Sequence, residues 1–489
     1  MSRLSKLNIS AIVKILGLFV IIEGLFMILA IPVSIFYNEK DIKALILSSS
    51  ITIFFGVVLF ILNYNKNIKN IGKREGYIIV SLTWIIISIF GSLPFYFSSV
   101  PEFGSFTNCF FETISGFTTT GASILNDIEA VPKGLLFWRS LTHWIGGMGI
   151  IVLSIAILPI LGIGGMQLYA AEVPGPTHDK IHPKITETAK RIWAIYIILT
   201  IAQTVLLYIG GMNLFDSICH SFGTMATGGF STKNTSLIEY SSYIQYIVII
   251  FMFLAGVNFS LHYFLLKGMF LRVFKNEELK FYITIIGVFT LFITLGVYLN
   301  NNSNLEKSFR DALFQVVSII TTTGFVSANY LNWLPSVWFI LFLLMFFGGC
   351  AGSTGGGIKI IRLLMLFKNS KQEFKRIIHP NAIIPVRLNK KPVSKETIFN
   401  IQAFFLTYLG IFILGAVSLS LVGLDFESAI GASISSLGNI GPAIGKLGPV
   451  DNYFYLSDIG KWILSFLMLA GRLELFSVLI LFSFPFWWK

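Results

Sequence analysis

Charged residues are scarce in this chain. Only 12% of its 489 residues are Asp, Glu, Lys or Arg, whereas 55% are hydrophobic. Soluble domains carry about 25% charged residues, and disordered segments have low hydrophobicity, so both classes are excluded. Apolar runs of about 20 residues, the length that crosses a bilayer core, recur along the whole chain. The composition therefore predicts a polytopic helical membrane protein.

Cysteines and the common nucleotide-binding and hydrolase motifs are equally sparse. The three cysteines, Cys109, Cys219 and Cys350, lie in apolar sequence, which predicts small buried side chains and no disulfide framework. There is no GxxxxGK[ST] or GxSxG motif, so nothing indicates an ATPase or a serine hydrolase. His178 and His182 stand four residues apart in a proline-broken loop without a third ligand, and we interpret them as solvated loop residues.

The net charge of +12 is distributed unevenly. Basic residues cluster in the short loops of one side, and the opposite loops carry few. The clusters are Arg3 and Lys6; Lys66, Lys69, Lys73 and Arg74; Lys180, Lys184, Lys190 and Arg191; Lys267, Arg272, Lys275 and Lys280; and residues 368–376 and on to Lys395. This positive-inside pattern places both termini in the cytoplasm and argues against a nucleic-acid partner. The apolar stretch at 9–37 is longer than a signal-peptide core, which favours a retained span.

Four short polar runs ending in glycine interrupt the apolar sequence. They are Thr118-Thr119-Thr120-Gly121, Ala226-Thr227-Gly228-Gly229, Ile320-Thr321-Thr322-Thr323-Gly324 and Gly438-Asn439-Ile440-Gly441. Hydroxyls and glycines at membrane depth are tolerated only where the backbone lines a cavity or is buried in protein. Four such places suggest a ring around one axis, as in a cation filter. A single run of this kind is also typical of helix packing.

Each run lies between two apolar spans, so the chain divides into repeated units. We predict two N-terminal transmembrane helices at 1–72, and pore units at 73–165, 166–272, 273–372 and 373–489. Two spans and a re-entrant segment return the chain to its starting side, so all units share one orientation, unlike inverted repeats. The predicted fold is an all-α polytopic membrane protein with four tandem helix–pore-loop–helix units around one pore.

The runs have the chemistry of a filter for a monovalent cation. Inward-facing carbonyls replace the water of a dehydrated ion, glycine permits the turn, and threonine hydroxyls add oxygens. The preceding segments, of about a dozen residues, are too short to span and present negative helix C-termini to the site. No run contains Asp or Glu, which disfavours a divalent ion. Asp216, Asp311 and Glu427 near the starts of these segments are interpreted as N-caps or first-turn charges.

Two further features point to a gate. The second span of the third unit contains six glycines between Gly348 and Gly357, and each Gly costs a helix about 1 kcal/mol relative to Ala. We interpret this run as a flexible loop below the filter; a close crossing of small residues is the alternative. Arg472 lies inside the last span and must face water or a partner. It either sets an electrostatic barrier in the pore or holds the loop through its carbonyls; the alternative is a structural pair with Glu474 or with helix-end carbonyls.

Together these residues resemble the Trk/Ktr/HKT family of potassium transporters. The resemblance rests on the four runs, on Gly146-Gly147-Met148-Gly149, on the glycine-rich stretch at 348–357 and on Arg472. It covers essentially the whole chain. The two extra N-terminal spans and the Glu172-Val173-Pro174-Gly175-Pro176 loop are similar to the bacterial TrkH/TrkG branch.

The resemblance implies a potassium-uptake subunit of the inner membrane that is not an enzyme and binds no organic cofactor. It also implies a homodimer with one pore per protomer and a cytosolic, TrkA-type nucleotide-binding regulatory ring. The implied K⁺ filter residues are Thr119, Thr120, Gly121, Thr227, Gly228, Gly229, Thr322, Thr323, Gly324, Asn439, Ile440 and Gly441. The implied gate residues are Gly352, Ser353, Thr354, Gly355, Gly356, Gly357 and Arg472. The fourth run departs from the threonine pattern, which leaves the sharpness of K⁺ over Na⁺ selection open.

Two other functions compete with this one. A secondary transporter coupling cation symport to another solute would need a roomy mid-membrane site in paired halves. An intramembrane enzyme would need converging catalytic groups, and the spans offer only isolated candidates such as His143, Glu112 and His262. Whether H⁺ or Na⁺ accompanies the transported ion, and which nucleotide controls a regulator, stay open.

Overall fold

The computed structural model describes residues 7–64, 72–157, 185–301 and 304–487. These ranges are mostly helical, with one antiparallel hairpin of two-residue strands, β1 (Arg387–Leu388) and β2 (Lys391–Pro392). The α-helices are Ile9–Ile28, Ala30–Phe36, Ile42–Leu62, Lys73–Gly91, Leu93–Tyr96, Phe106–Phe117, Lys133–Ile157, Ile185–Ile209, Leu214–Met225, Ser242–Ala255, Phe259–Leu266, Phe270–Phe274, Glu277–Asn301, Leu305–Ile320, Pro335–Leu344, Ile360–Ile378, Lys395–Leu421, Phe426–Gly438, Asp458–Arg472, Phe476–Leu479 and Phe484–Trp487. Short 3₁₀ turns cover Pro101–Phe103, Tyr330–Asn332, Gly445–Leu447 and Ile480–Phe482.

Several sequence predictions concern residues outside the described ranges. They are the loop histidines His178 and His182, the Glu172–Pro176 loop, the boundary at 165/166, and the basic residues Arg3, Lys6, Lys66, Lys69, Lys180 and Lys184.

Six helices of the described chain are long and apolar enough to cross a membrane, and two sharply bent helix pairs raise the number to as many as eight. The predicted polytopic all-α class is confirmed. The first two spans form a hairpin whose helices approach closely at Gly17, Gly24 and Gly56. This hairpin packs against the Lys73–Gly91 helix, which begins the first of four tandem units.

Each unit contains a short helix that enters the protein between two spans. We call these pore helices 1 to 4: Phe106–Phe117, Leu214–Met225, Leu305–Ile320 and Phe426–Gly438. They have 12, 12, 16 and 13 residues, too few to cross a bilayer as an α-helix. Most of their residues are buried, so the helices lie inside the bundle and not along its lipid face.

The starts of the pore helices correct one detail of the sequence analysis. The capping side chains that accept a first-turn amide are Ser105, Asn213, Asn304 and Asp425. Asp216 and Glu427 lie in the first turn, where a negative charge favours the helix N-terminus. Asp311 is neither a cap nor a first-turn residue, because pore helix 3 begins at Leu305; its carboxylate accepts from the Ser327 hydroxyl at 3.4 Å.

The second spans of units 2, 3 and 4 are interrupted at their middle, and that of unit 1 is kinked at Gly149, whose φ is 66°. The span of unit 2 bends by 100° between Ala255 and Phe259, and that of unit 4 bends by 111° after Arg472. In unit 3 the helix stops at Leu344 and resumes at Ile360. We call the intervening residues, 345–359, the glycine-rich loop. The following sections show that these three breaks meet at one place.

Candidate ion pathway

The four polar runs have the same backbone shape. We call them filter segments 1 to 4: residues 118–121, 226–229, 321–324 and 438–441. The second residue of each lies in the left-handed region, with φ of 54°, 54°, 57° and 56° at Thr119, Thr227, Thr322 and Asn439. The fourth residue is a glycine with φ of 83°, 81°, 80° and 99° at Gly121, Gly229, Gly324 and Gly441. Positive φ is uncommon for residues other than glycine, so its recurrence in register marks one repeated structure.

The same shape ends each pore helix. The amide of the third segment residue donates to the carbonyl five residues earlier in every case, at 2.8 to 2.9 Å. The pairs are Thr120 to Ser115, Gly228 to Gly223, Thr323 to Ser318 and Ile440 to Ser435. This is the left-handed C-cap of a helix, which turns the chain sharply while satisfying an end carbonyl. It also identifies Gly229, and not Gly228, as the counterpart of the other final glycines.

The segments close into a ring in chain order. A β-carbon added to Gly121 would lie under 3.0 Å from the carbonyl oxygen of Gly228 in the next segment. The same holds for Gly229 against Thr323, for Gly324 against Ile440, and for Gly441 against Thr120. Segment 4 thus meets segment 1 and completes the circle. Glycine is required at these four positions both for its positive φ and because each neighbouring backbone approaches so closely.

The ring joins two features that favour a cation. Four pore helices end at it, and each helix C-terminus carries a partial negative charge of about half an electron. Backbone carbonyls of four segments lie side by side around it, as the close approaches of the glycines require. Such an arrangement replaces the hydration shell of an alkali ion without any acidic side chain.

A cavity of about 130 Å³ lies directly outside the ring. All four final glycines line it, together with residues of the ascending chain. At its rim Asn234 donates to Asp127 at 2.9 Å, and Lys233 donates to Glu129 at 2.8 Å. The hydrogen bond from Asn234 lowers the pKa of Asp127, and the hydrogen bond to Glu129 raises the pKa of Lys233. Both side chains are therefore charged at neutral pH.

The glycine-rich loop lies on the opposite side of the ring, against the ends of the pore helices. The amide of Gly356 donates to the hydroxyl of Thr322 at 2.7 Å, and the hydroxyls of Thr227 and Thr354 are 3.3 Å apart. A β-carbon on Gly356 would also lie 2.8 Å from the side-chain oxygen of Asn439. The loop therefore touches three of the four left-handed residues and covers the inner end of the ring.

Arg472 contacts the fourth left-handed residue, Thr119. Its Nη1 donates to the carbonyl of Thr354 at 2.7 Å and to the hydroxyl of Thr119 at 3.2 Å. Its Nη2 donates to the carbonyls of Gly146 and Gly147. Arg472 therefore contacts both the loop backbone and carbonyls of the Lys133–Ile157 helix, and Glu474 pairs instead with Arg362.

The broken spans hold the loop in place. Cys350 donates its amide to Gly256 at 2.9 Å, and Gly352 accepts from the amide of Phe259 at 3.0 Å, both at the bend of unit 2. Glu278, which is buried, accepts from the amide of Ala351 at 2.7 Å. At the loop's other end the buried Lys359 donates to the carbonyl of Gly355. The loop is thus tied to elements from units 2, 3 and 4.

The other predicted gate residues complete the loop's turn. Ser353 donates its amide at 3.1 Å and its hydroxyl at 2.6 Å to the carbonyl of Cys350. Gly352 and Gly357 have φ of 73° and 64°, where side chains are disfavoured. Gly355 lies close to the carbonyl of Thr321, where a β-carbon would be 2.8 Å away. The predicted filter residues therefore lie in the ring, Thr354, Gly355, Gly356 and Arg472 contact it, and Gly352 and Ser353 lie in the turn of the loop beside the bend of unit 2.

Some residues at this site were not singled out from the sequence. Glu278, Lys359 and Arg362 are buried charged residues that hold the loop or the last span. Charged residues inside apolar helices are the signal that would have found them, because such residues are retained only with a partner. The helix ends and bends that supply their partners are decided by the tertiary structure.

The isolated candidates for catalysis make structural contacts instead. Glu112 is buried and accepts from Arg139 at 2.6 Å, from the Ser123 hydroxyl at 2.9 Å and from the Ile124 amide at 2.8 Å. His262 contacts the carbonyl of Leu254 at 2.9 Å. Among the described residues no three His, Cys, Asp or Glu side chains group as metal ligands. The cysteines Cys109, Cys219 and Cys350 are free and buried, as predicted.

The fold and this site define a class: polytopic membrane proteins in which four re-entrant segments of one chain surround a single axis. Comparison with known proteins gives the family. The model of the family described as "TrkH: Cation transport protein" matches residues 42–486. The chain belongs to this TrkH family, which consists of transport proteins and not of enzymes.

Individual relatives agree over their full lengths. The chain is 40% identical over 485 residues to the Trk system potassium uptake protein TrkH of Escherichia coli, covering 98% of this chain and 100% of that protein. It is 33% identical to the Trk system potassium uptake protein TrkG of the same organism, covering 98% of this chain and 99% of TrkG. The crystal structure of the potassium transporter TrkH from Vibrio parahaemolyticus superimposes with a TM-score of 0.87 at 35% identity, covering 98% of this chain and 100% of that one.

Proposed function

We propose that this chain is a potassium-uptake protein of the bacterial inner membrane, with the ring of filter segments as its ion path. The observation that carries the proposal is the closure of the ring, in which each final glycine abuts a carbonyl of the next segment. A closed circle of backbone oxygens at helix C-termini suits a dehydrated monovalent cation. The printed names of the relatives supply the ion, potassium.

The proposed ligands are backbone carbonyls and hydroxyls of the ring. They comprise Thr119, Thr120, Gly121, Thr227, Gly228, Gly229, Thr322, Thr323, Gly324, Asn439, Ile440 and Gly441. Residues with positive φ alternate with residues of negative φ along each segment, and we propose that successive carbonyls of a segment thereby face the axis at different heights. An ion then passes several carbonyl levels in turn, which permits binding without trapping.

The proposed gate is the glycine-rich loop with Arg472. The loop contacts Thr227 and Thr322 from below, and Arg472 bridges the loop to Thr119. A guanidinium near the axis opposes a cation, and the loop obstructs its path. Displacement of the loop would remove the obstruction and break the hydrogen bond from Arg472 to the carbonyl of Thr354.

The organisation of the whole protein is part of the proposal. Units at 73–165, 166–272, 273–372 and 373–489 follow the two N-terminal helices of 1–72, with both termini cytoplasmic. We further propose a homodimer with one pore per protomer and control by a cytosolic, TrkA-type nucleotide-binding ring. The Trk system named for the relatives supports partner subunits of this kind.

Isotope flux into proteoliposomes tests the function. Purified protein is reconstituted with internal potassium, and ⁸⁶Rb⁺ uptake is measured while external K⁺, Na⁺ or Li⁺ competes. We expect K⁺ and Rb⁺ to compete at concentrations at least about tenfold lower than Na⁺, corresponding to about 1.4 kcal/mol of selectivity. Equal competition by all alkali ions, or uptake of another solute that requires Na⁺, would refute potassium uptake through this ring.

A further inference from the structure

The four filter segments are braced in different ways. In segments 1 and 3 the first and third residues are threonines, and their hydroxyls lie 2.8 Å apart in both, Thr118 with Thr120 and Thr321 with Thr323. In segment 4 the side-chain amide of Asn439 donates to the Thr120 hydroxyl at 3.0 Å and to the carbonyl of Met468 at 2.9 Å. We call each of these side-chain hydrogen bonds a brace, because it holds a residue of the ring against a neighbouring hydroxyl or carbonyl.

Segment 2 has no hydroxyl pair at its first and third positions; the hydroxyl of its second residue, Thr227, lies 3.3 Å from that of Thr354 in the loop. The equivalent positions are Ala226 and Gly228, which carry no hydroxyl. The space beside Gly228 is filled by the imidazole of His143, since a β-carbon on Gly228 would lie under 3.0 Å from three atoms of that ring. His143 is fully buried and belongs to the Lys133–Ile157 helix, the second span of unit 1.

The imidazole is held by the chain that follows Gly229. Its Nε2 accepts from the backbone amide of Phe230 at 3.3 Å, and the two ring centroids are 4.0 Å apart. Because Nε2 accepts, the proton of the neutral ring is on Nδ1. One turn earlier on the same helix, Arg139 donates to the carbonyl of Ser231 at 2.9 Å and lies 3.5 Å from the Phe230 ring centre. His143 and Arg139, one helical turn apart, thus bind the amide of Phe230 and the carbonyl of Ser231 in the turn that follows segment 2.

We propose that His143 is the positioning residue of segment 2 and thereby determines how well the ring discriminates potassium from sodium. It substitutes for the threonine pair of segments 1 and 3 by filling the volume beside Gly228 and fixing the amide of Phe230. Gly228 thus has this imidazole beside its α-carbon, and its carbonyl oxygen lies against Gly121 of segment 1. Without the imidazole, segment 2 has room to relax toward the smaller ion. This inference rests on the proposed function.

The pattern of glycine and histidine makes a compensation experiment possible. The first variant, His143→Ala, removes the brace. The second, His143→Ala with Ala226→Thr and Gly228→Thr, replaces it with the hydroxyl pair of segments 1 and 3. The third, Gly228→Thr alone, drives a side chain into the imidazole. His143→Gln, whose amide oxygen accepts from an N–H, is the conservative variant.

Rb⁺ flux under K⁺ and Na⁺ competition is measured for each variant, with size-exclusion elution and thermal unfolding as tests of folding. We expect His143→Ala and Gly228→Thr to lower the K⁺/Na⁺ ratio about tenfold, the change that 1.4 kcal/mol produces. The triple variant should recover most of the ratio, and His143→Gln should fall between. His262→Ala, a histidine that contacts the carbonyl of Leu254 far from segment 2 in sequence, is the matched control for the selectivity ratio.

The outcomes separate this inference from the proposed function. Wild-type protein without potassium preference refutes the function itself. A selective wild type with an unchanged ratio in His143→Ala refutes only the role of His143. If His143→Ala does not accumulate as folded protein, the triple variant decides: a folded and selective triple variant supports the brace, and a folded, non-selective one overturns it.

Discussion

At the scale of single residues, the filter depends on backbone conformations that most side chains avoid. Thr119, Thr227 and Thr322 are left-handed residues with a β-branched side chain, for which positive φ is unfavourable. Strain of about 1–3 kcal/mol at each such residue persists only where the surroundings impose it. Here the C-cap hydrogen bonds and the adjoining segments impose it four times. The strain fixes the carbonyl directions before any ion arrives, which is the preorganisation that selectivity requires.

Gly324→Ser tests the residue scale. Its β-carbon would collide with the carbonyl of Ile440 and would have to occupy φ of 80°. We expect the K⁺/Na⁺ competition ratio to fall about tenfold, equivalent to about 1.4 kcal/mol, because the displaced carbonyl of Ile440 would no longer match the ring. Gly410→Ser is the matched control, since that glycine has open space around it and ordinary φ. An unchanged ratio in Gly324→Ser would count against the filter assignment.

At the scale of elements, the interrupted helices are what distinguishes this site from a simple helix bundle. The loop at 345–359 replaces about four turns of helix with backbone groups that find partners at the bend of unit 2 and on Arg472. Unpaired backbone groups inside a membrane each cost several kcal/mol, so an irregular segment persists there only when the surrounding protein satisfies it. The loop is accordingly held by a few specific hydrogen bonds and not by a continuous helical ladder. We expect the loss of a few of those bonds to release it.

Arg472→Ala removes one of the hydrogen-bonding partners of the loop. A hydrogen bond to a charged group contributes about 1.5–3 kcal/mol, and Arg472 makes several to the loop and its surroundings. In proteoliposomes without any regulatory subunit we expect the Rb⁺ flux to rise about tenfold or more. Deleting two residues from Gly352–Gly357 should act in the same direction.

The control for the gate is Arg376→Ala. Arg376 lies on the Ile360–Ile378 helix, which follows the loop and leads away from the ring. It forms an ion pair with Glu373 and donates to the carbonyl of Ile384. Its removal should leave flux unaltered. A lower or equal flux in Arg472→Ala, with normal folding, would withdraw the gate assignment.

At the scale of the whole molecule, the proposed orientation in the membrane follows from the four units, because each unit returns the chain to the side of the membrane on which it began. The Lys395–Leu421 span separates two exposed lysines, Lys391 before it and Lys446 in the segment beyond pore helix 4. Lys446 lies 3.5 Å from Asp425 at the outer start of that helix. The three native cysteines are buried, which gives a low background for thiol chemistry.

Single cysteines at these positions report the orientation. Lys446→Cys should react with a membrane-impermeant maleimide in intact cells, and Lys391→Cys only after permeabilisation. The reason is the predicted cytoplasmic location of the basic loops. The unmodified protein, with Cys109, Cys219 and Cys350 alone, controls for background labelling. Labelling of Lys391→Cys in intact cells would reverse the proposed topology.

Part of the fold and of the candidate site could be predicted from the sequence, and part could not. The four glycine-ended runs were visible because polar residues are conspicuous among apolar ones, and their spacing indicated repeats. The register of Gly229 was readable from its similarity to Gly324. The N-caps Asn213 and Asn304 were not predicted, because the acidic residues nearby were interpreted as N-caps or first-turn charges. The partner of Glu474 was open in the sequence, since Arg362 is distant along the chain and the helix break at Glu474 and Leu475 redirects the side chains.

The sequence by itself determined that this chain crosses a membrane repeatedly, that its units run in one direction, and that a polar run interrupts each unit. Those properties follow from hydrophobicity, charge and glycine content, which act locally. Only the tertiary structure decided that the runs close into one circle, that three broken spans meet beneath it, and that His143 stands in for a missing threonine pair. These are matters of contact between residues distant in sequence, and the close approach of backbones that fixes them has no signature along the chain.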